Sequence, residues 1–488
     1  MSTFVTEEPK QAGKNSPANW VPWLITIAVG LLIYVIPPPE GVAQEAWHLL
    51  AIFVATIIGI ITKPQPMGAV AIIGILLTSF VLPDSNKANL GVALSGFSNG
   101  VIWLIVAAFF ISRGFIKTRL GERIAYLFMS RLGKKTLSLS YGLIATDLVL
   151  SPAIPSNTAR GGGIIYPVLS SIARAYGSQP DDGTANRMGS FLVKASFQGL
   201  VITSAMFLTA MAANPLAVAL ASENVGIEIS WARWAMAALV PGLLSLVVIP
   251  WLLFKLNPPE VKETPEAAQL AVRKLKEMGS MKPSEWIMLG TFLLLIILWI
   301  FGAQLGALYS TTAALIGLSI LLLSGVLTWE DILNERSAWD TLVWFAALVM
   351  MASQLSALGL IPWFGDKIGE LVASYGWISA FLILALVYFY SHYFFASNTA
   401  HVSAMYAPFL VVMVTAGAPP MLSALVLAFF SNLFSSMTHY GTGPAPVYFG
   451  SGYVEMADWW KSGFIISLVN IVIWLGVGGL WWKILGIW

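Results

Sequence analysis

The sequence predicts an all-α polytopic membrane protein with 11 transmembrane helices and two opposed re-entrant hairpins, built as inverted repeats. Three observations predict it. Apolar residues fill 57% of the 488 positions and charged residues only 10%, against about 25% charged in soluble domains. Apolar segments of roughly spanning length recur along the whole chain. The polar tetrad Ser-Asn-Thr-Ala occurs twice inside such segments, at 156–159 and 397–400.

The N-terminal residues 1–19 are polar and lack an apolar core with a cleavage site, which predicts a disordered tail rather than a signal peptide. Apolar segments follow at 20–36, 47–61, 67–82 and 97–115. The basic stretch 113–135 has its apolar residues at helical spacing and predicts an amphipathic helix in the membrane interface. Segment 137–176 is interrupted at the first tetrad, 190–221 is interrupted around 210–214, and 231–256 is continuous. Residues 257–285 form the only sizeable polar stretch, a cytoplasmic linker between a first half (20–256, an extra first helix plus repeat 1) and a second (286–488, repeat 2). The second half runs through 286–301, 305–327, 338–360, a short amphipathic piece, 377–415 broken at the second tetrad, 421–447 and 461–485.

The halves repeat at a constant offset. Trp103 and Trp344, Ser156 and Ser397, and Pro167 and Pro408 are each 241 positions apart, which marks a tandem duplication. Charge decides whether the broken segments cross. Setting aside Arg160 within the first break, re-entrant segments at 137–176 and 377–415 with a cytoplasmic N-terminus place 21 of 25 Lys and Arg inside. Spanning segments would divide them 13 to 12. Cytoplasmic loops carry the excess of Lys and Arg, so the hairpins are favoured. Each repeat then holds five spans, an odd number, so the repeats are inverted and the C-terminus lies outside. Inverted repeats with broken helices at the midplane characterise secondary transporters.

A hairpin tip inside a membrane exposes backbone groups tolerated only where they line a cavity or bind something. Each tetrad places a helix N-terminus at such a tip, suited to an anion, with Ser, Asn and Thr groups to receive carboxylate oxygens. Their oxygens, with freed carbonyls, also suit Na+. One such triad reads as an N-cap; two at matched positions read as a site. Arg160 follows the first tetrad, and an intramembrane Arg is a functional candidate. Contact with a carboxylate ligand and ion pairing with Asp147 on the opposite arm both remain open. His401 lies 241 positions after Arg160, whereas His392 and His439 read as core or interface residues. Two further breaks, "TAMAANPLA" (209–217) and "HYGTGPAPVYFGSG" (439–452), carry Pro215, Gly441, Gly443, Pro444 and Pro446, which unwind helices and free carbonyls. Inward acidic residues are scarce, which favours an anionic substrate over a cation/proton antiporter. No nucleophile, base or metal constellation suggests an enzyme, and the absence of Cys excludes thiol chemistry.

The two Ser-Asn-Thr triads and the unwound Thr/Pro/Gly segments, with "SNTAR", "SEWIMLG", "LWIFG", "SAWDTLVWF" and "HYGTGPAPVYFGSGYV", resemble the divalent anion:sodium symporter family. The match is closest to its citrate carrier and plastid 2-oxoglutarate–malate translocator branch, from about Trp47 onward. The resemblance implies a homodimer with a scaffold domain and a transport domain moving as an elevator. It implies substrates such as malate, succinate, 2-oxoglutarate or citrate. By position, Ser156, Asn157, Thr158, Ser397, Asn398, Thr399, Thr442 and Gly443 would surround the substrate, with Arg160 and His401 beside them. One possible Na+ site would comprise Ser156, Asn157 and the 210–214 turn with Asn214; the other Ser397, Asn398 and Gly441. The turn Ala210-Met211-Ala212-Ala213-Asn214 departs from the sodium-coupled pattern, and Arg160 and His401 follow the triads. Members with these features resemble exchangers, with Arg160 supplying the charge that Na+ supplies elsewhere.

The expectation is therefore a di- or tricarboxylate exchanger of a bacterial cytoplasmic membrane. Na+-driven uptake of the same anions is the alternative. Its partners are small carboxylate anions, membrane lipid and a second copy of the chain, with no nucleic acid and no cofactor beyond possible Na+.

Overall fold

The computed structural model describes residues 20–302, 308–372 and 376–488. The tail expected to be disordered (1–19) lies outside the described residues, as does the head of the 305–327 segment. The described residues are helical, with no strand and one isolated bridge between Lys135 and Glu263. Seven of their helices are long and apolar enough to cross a membrane: Gln44–Thr62, Gly100–Thr118, Trp231–Leu256, Pro283–Phe301, Arg336–Ala357, Trp377–Phe394 and Met456–Ile484. Five more apolar helices are shorter, among them Trp20–Val35, Met67–Val81 and Ser310–Leu323. The outer helix Trp20–Val35 keeps most of its apolar side chains exposed, as lipid-facing surface requires.

The duplication is visible element by element. Helices Thr136–Leu150 and Trp377–Ser391 are each 15 residues long and 241 positions apart at both ends. Short helices Asn157–Arg160 and Asn398–His401 follow, each capped by its serine. The Ser156 hydroxyl accepts from the Ala159 N–H at 3.1 Å, and Ser397 from Ala400 at 3.5 Å. Each then passes through one π turn, Gly161–Ile165 and Val402–Tyr406, also 241 apart. At about 1.5 Å per residue, a 15-residue arm reaches about 22 Å, short of a hydrocarbon core of about 30 Å. Arg160 touches Asp147, 13 positions earlier, a separation that a continuous helix would stretch to about 20 Å.

Two further helices stand at the centre. Every residue of Gly189–Met206 is buried, as are Leu422–Leu433 of Pro420–Leu433. Burial on all sides obliges their polar groups to find partners. Lys194 pairs with Asp458, and the Gln198 amide donates to the Ser436 carbonyl at 2.9 Å. Both helices stop at the breaks. The first break opens at Phe207, three residues before the expected position, and its 3-10 turn Leu208–Ala210 leads to a new helix, Ala213–Val225. The second runs from Met437 to Pro444 before Ala445–Phe449 resumes. The helix 456–484 is pinned to Trp231–Leu256 by its indoles, Trp481 donating to Met236 O and Trp482 to Ala237 O.

The linker differs from the expected loop. Pro265–Met278 is a 14-residue helix whose Ala267, Ala268 and Ala271 are buried against the amphipathic helix Leu120–Leu132. Small side chains on one face let the two helices approach closely, which a reading of charge alone overlooks. Arg123 completes the junction, with Nε 2.6 Å from Glu285 Oε1 and Nη1 2.9 Å from Gly279 O. At the helix start the Tyr176 hydroxyl donates to Glu266 at 2.5 Å and holds that carboxyl below its usual range.

Candidate carboxylate-binding site at the two tetrads

The first tip is organised by Arg160, which is fully buried. Its Nε donates to Asp147 Oδ1 at 2.9 Å, Nη2 to Ser204 Oγ at 3.0 Å, and Nη1 to the carbonyls of Ile154 (2.5 Å) and Ala210 (2.6 Å). The second Asp147 oxygen accepts from Thr203. Of the two roles open in the sequence, Arg160 takes the ion pair in this conformation. Its guanidinium ties both arms of the reversal to the first break.

The second tip is organised differently. His401, at the matching position, is buried and has Nε2 3.1 Å from Ser391 Oγ at the end of helix Trp377–Ser391. Its ring stacks with Tyr388 and Phe395. The side chain that reaches the second break is His392. Its Nε2 lies 2.9 Å from the Gly441 carbonyl. A carbonyl can only accept, so this nitrogen carries the proton. His392 also stacks on Phe434 at 3.7 Å and beside His401 at 5.2 Å. Sequence reasoning placed His392 in the core, because its partner at the 241 offset is Ser151, which suggests no related chemistry.

Around these anchors the predicted residues converge. The Asn157 amide donates to Thr442 Oγ1 at 3.1 Å. Thr158 and Gly443 are both exposed and touch: a Cβ at Gly443 would collide with Thr158 Oγ1. Asn398 Nδ2 donates to Ser431 O at 2.8 Å and Ser435 Oγ at 2.7 Å. Thr399 is half-buried, its carbonyl accepting from Ser403 Oγ at 2.7 Å. Asn157 and Asn398 line one small central cavity with Ser204, Asn432, Ser435 and Thr442. Asn214 spans the halves, its Oδ1 accepting from Asn432 Nδ2 at 2.8 Å while its own amide donates to Ser204 O and Phe207 O. Asn432, Ser435 and Ser204 were not anticipated; "FSNLFSS", polar residues inside an apolar helix, was the signal available.

Outside this centre opens a cleft of about 590 Å³, within the size range of small-molecule sites. It is walled by Ala396, Ser397 and Gly443 on one side and by Ile60 and the loop 63–67 on the other. Ser397 and Gly443 thus face open space, with Thr158 beside Gly443. Asn157, Asn398 and Thr442 lie just behind.

Several oxygens of the sets proposed for Na+ already accept from protein groups. Ala210 O is held by Arg160, Asn214 Oδ1 by Asn432, and Gly441 O by His392. Among the described residues no cluster of three His, Asp or Glu side chains suits a metal ion.

The family pattern described as "Sodium:sulfate symporter transmembrane region" matches residues 17–488. YflS of Bacillus subtilis (strain 168), which carries the name of a candidate malate transporter, is 59% identical over 98% of this chain and 99% of its own. "Dicarboxylate transporter 1, chloroplastic" of Arabidopsis thaliana is 52% identical over 96% of this chain and 83% of its own. Inner membrane protein YbhI of Escherichia coli (strain K12) is 36% identical over 96% and 98%. Among solved structures, the Alcanivorax borkumensis YdaH transporter shares the fold at a TM-score of 0.56 and 12% identity, covering 83% of this chain and 90% of that one. The chain is a multi-pass transporter rather than an enzyme, and it belongs to the divalent anion:sodium symporter family, in the branch of the plastid dicarboxylate transporters.

Proposed function

We propose that this protein exchanges dicarboxylate anions, of the malate and 2-oxoglutarate type, across a bacterial cytoplasmic membrane. Relatives named for malate and for dicarboxylates support the substrate class. The observation that carries exchange over Na+ coupling is the occupancy of the two breaks. Side-chain nitrogens already donate to the Ala210 and Gly441 carbonyls, the oxygens a coupling cation would share. Arg160 and His392 then occupy those carbonyls as hydrogen-bond donors, and the carrier returns only with another anion bound. Ser156, Asn157, Thr158, Ser397, Asn398, Thr399, Thr442 and Gly443 form the carboxylate site. Arg160 and His401 support it from behind. The short arms of both reversals support re-entrant hairpins among 11 spans, in a dimer whose transport domain moves as an elevator, with the N-terminus inside and the C-terminus outside.

Na+-driven uptake is the second reading, favoured by the sodium in the family's description. Counterflow in proteoliposomes separates the two. Vesicles loaded with malate take up external 2-oxoglutarate equally in Na+ and in choline if the protein exchanges. Uptake into empty vesicles that requires Na+ would establish symport instead.

A further inference from the structure

We propose that Lys63 is a substrate-docking residue, presenting a fixed positive charge to dicarboxylates across the cleft from Ser397 and Gly443. The inference rests on the carboxylate reading above and adds a residue outside both repeats' tetrads and breaks.

Three observations carry it. Lys63 is the only charged side chain lining the cleft, on the wall opposite the second tip. The remaining lining is apolar apart from Gln65 and Ser397. Arg160, the cation that directly follows the first tetrad, is buried and neutralised by Asp147, so it leaves little field in the cleft. Of the residues that line the cleft, the one that offers a dianion an opposite charge is Lys63.

Lys63 is also placed rigidly. It ends helix Gln44–Thr62 in the left-handed conformation, φ 52°, its N–H bonded to Gly59 O. Among the described residues only Lys63 and Arg119 are non-glycines with positive φ. Helices commonly end this way, but with glycine; a residue that carries a Cβ is held there against a cost of order 1 kcal/mol. Pro64 and Pro66 follow it and restrict the loop further. Backbone restriction of this kind is retained where the side chain it aims has a use.

Lys63 is exposed and joins none of the ion pairs among the described residues. The neighbouring carboxylate of Asp340 instead accepts from the Gly68 N–H at 3.1 Å. The ammonium is thus free for a ligand carboxylate, while the hairpin tips take the other end of the same molecule. A charge at this position raises the local concentration of anions and lowers KM, without entering the step that moves the carrier.

The test is malate/2-oxoglutarate exchange in proteoliposomes with wild type, Lys63→Gln and Lys63→Arg, at several ionic strengths. Exposed charge pairs alter binding by up to about fivefold. Lys63→Gln is expected to raise KM about three- to fivefold at low salt, leave the maximal rate within about twofold, and flatten the dependence of KM on ionic strength. Lys63→Arg is expected to restore both. A Lys63→Gln protein with wild-type KM at every ionic strength overturns the inference, as does one that loses maximal rate with KM unchanged. In either case wild-type exchange leaves the carboxylate reading standing. Wild-type vesicles that exchange no dicarboxylate sink that reading, and this inference with it.

Discussion

The imidazole Nε2 of His392 donates to the carbonyl oxygen of Gly441 across 2.9 Å, joining the turn before the second tetrad to the break that follows it. Arg160 makes the equivalent connection in the first half, donating to Ala210 at 2.6 Å. Both breaks therefore receive a side-chain donor from a tetrad segment. The two halves achieve this with residues at different repeat positions.

His392→Phe keeps the ring stack on Phe434 and removes the N–H. The Gly441 carbonyl is then buried without that partner, at a cost of about 1–3 kcal/mol. We expect a folded protein with a lowered melting temperature and exchange reduced at least tenfold. Undiminished counterflow in a folded His392→Phe protein would show that the second break needs no such donor.

Arg160→Ala leaves Asp147 as an uncompensated buried charge, which costs about 3–5 kcal/mol. Asp147→Asn with Arg160→Gln removes both charges. That double variant should melt closer to wild type than Arg160→Ala does, while counterflow stays absent in both. Thermal unfolding in detergent beside counterflow separates the structural from the transport contribution. Near-normal exchange by Arg160→Ala would reduce Arg160 to a structural residue.

Gly443→Ala drives a methyl group into the Thr158 hydroxyl at the open face of the site. Gly443 is exposed, so the fold should survive, and melting should shift little. KM for the dicarboxylate should rise at least tenfold, about 1.4 kcal/mol. An unchanged KM would place the substrate away from the contact between the first tip and the second break.

Asn432→Ala removes the amide that donates to Asn214 Oδ1 across the two halves. Leaving that oxygen buried and unpaired costs about 1–3 kcal/mol. In a double-mutant cycle with Asn214→Ala, the melting data should give a coupling of about 0.5–3 kcal/mol. Strict additivity would mean the two side chains do not act as a pair.

Much of the architecture was legible because its causes are local. An apolar run partitions from water whatever lies elsewhere in the chain, so the helices appear close to their expected places. Each tetrad starts a helix, as expected. Each Ser caps a short helix and each π turn follows at the same offset, because capping needs only the next three residues. The linker was less legible. Its charges suggested a loop, while the alanine face that docks Pro265–Met278 on Leu120–Leu132 acquires meaning only beside its partner.

By itself the sequence determined a duplicated, all-helical membrane protein with two polar tips and two breaks, and its motifs pointed to carboxylate transport. Tertiary structure decided which side chains hold those breaks. It turned Arg160 inward to Asp147, passed the second break to His392 rather than His401, and set Lys63 across a cleft from Ser397. The physical reason is the range of each interaction. Hydrophobic partition and helix capping act within one segment, whereas a buried hydrogen bond or a charge facing a cleft depends on groups brought together from distant parts of the chain.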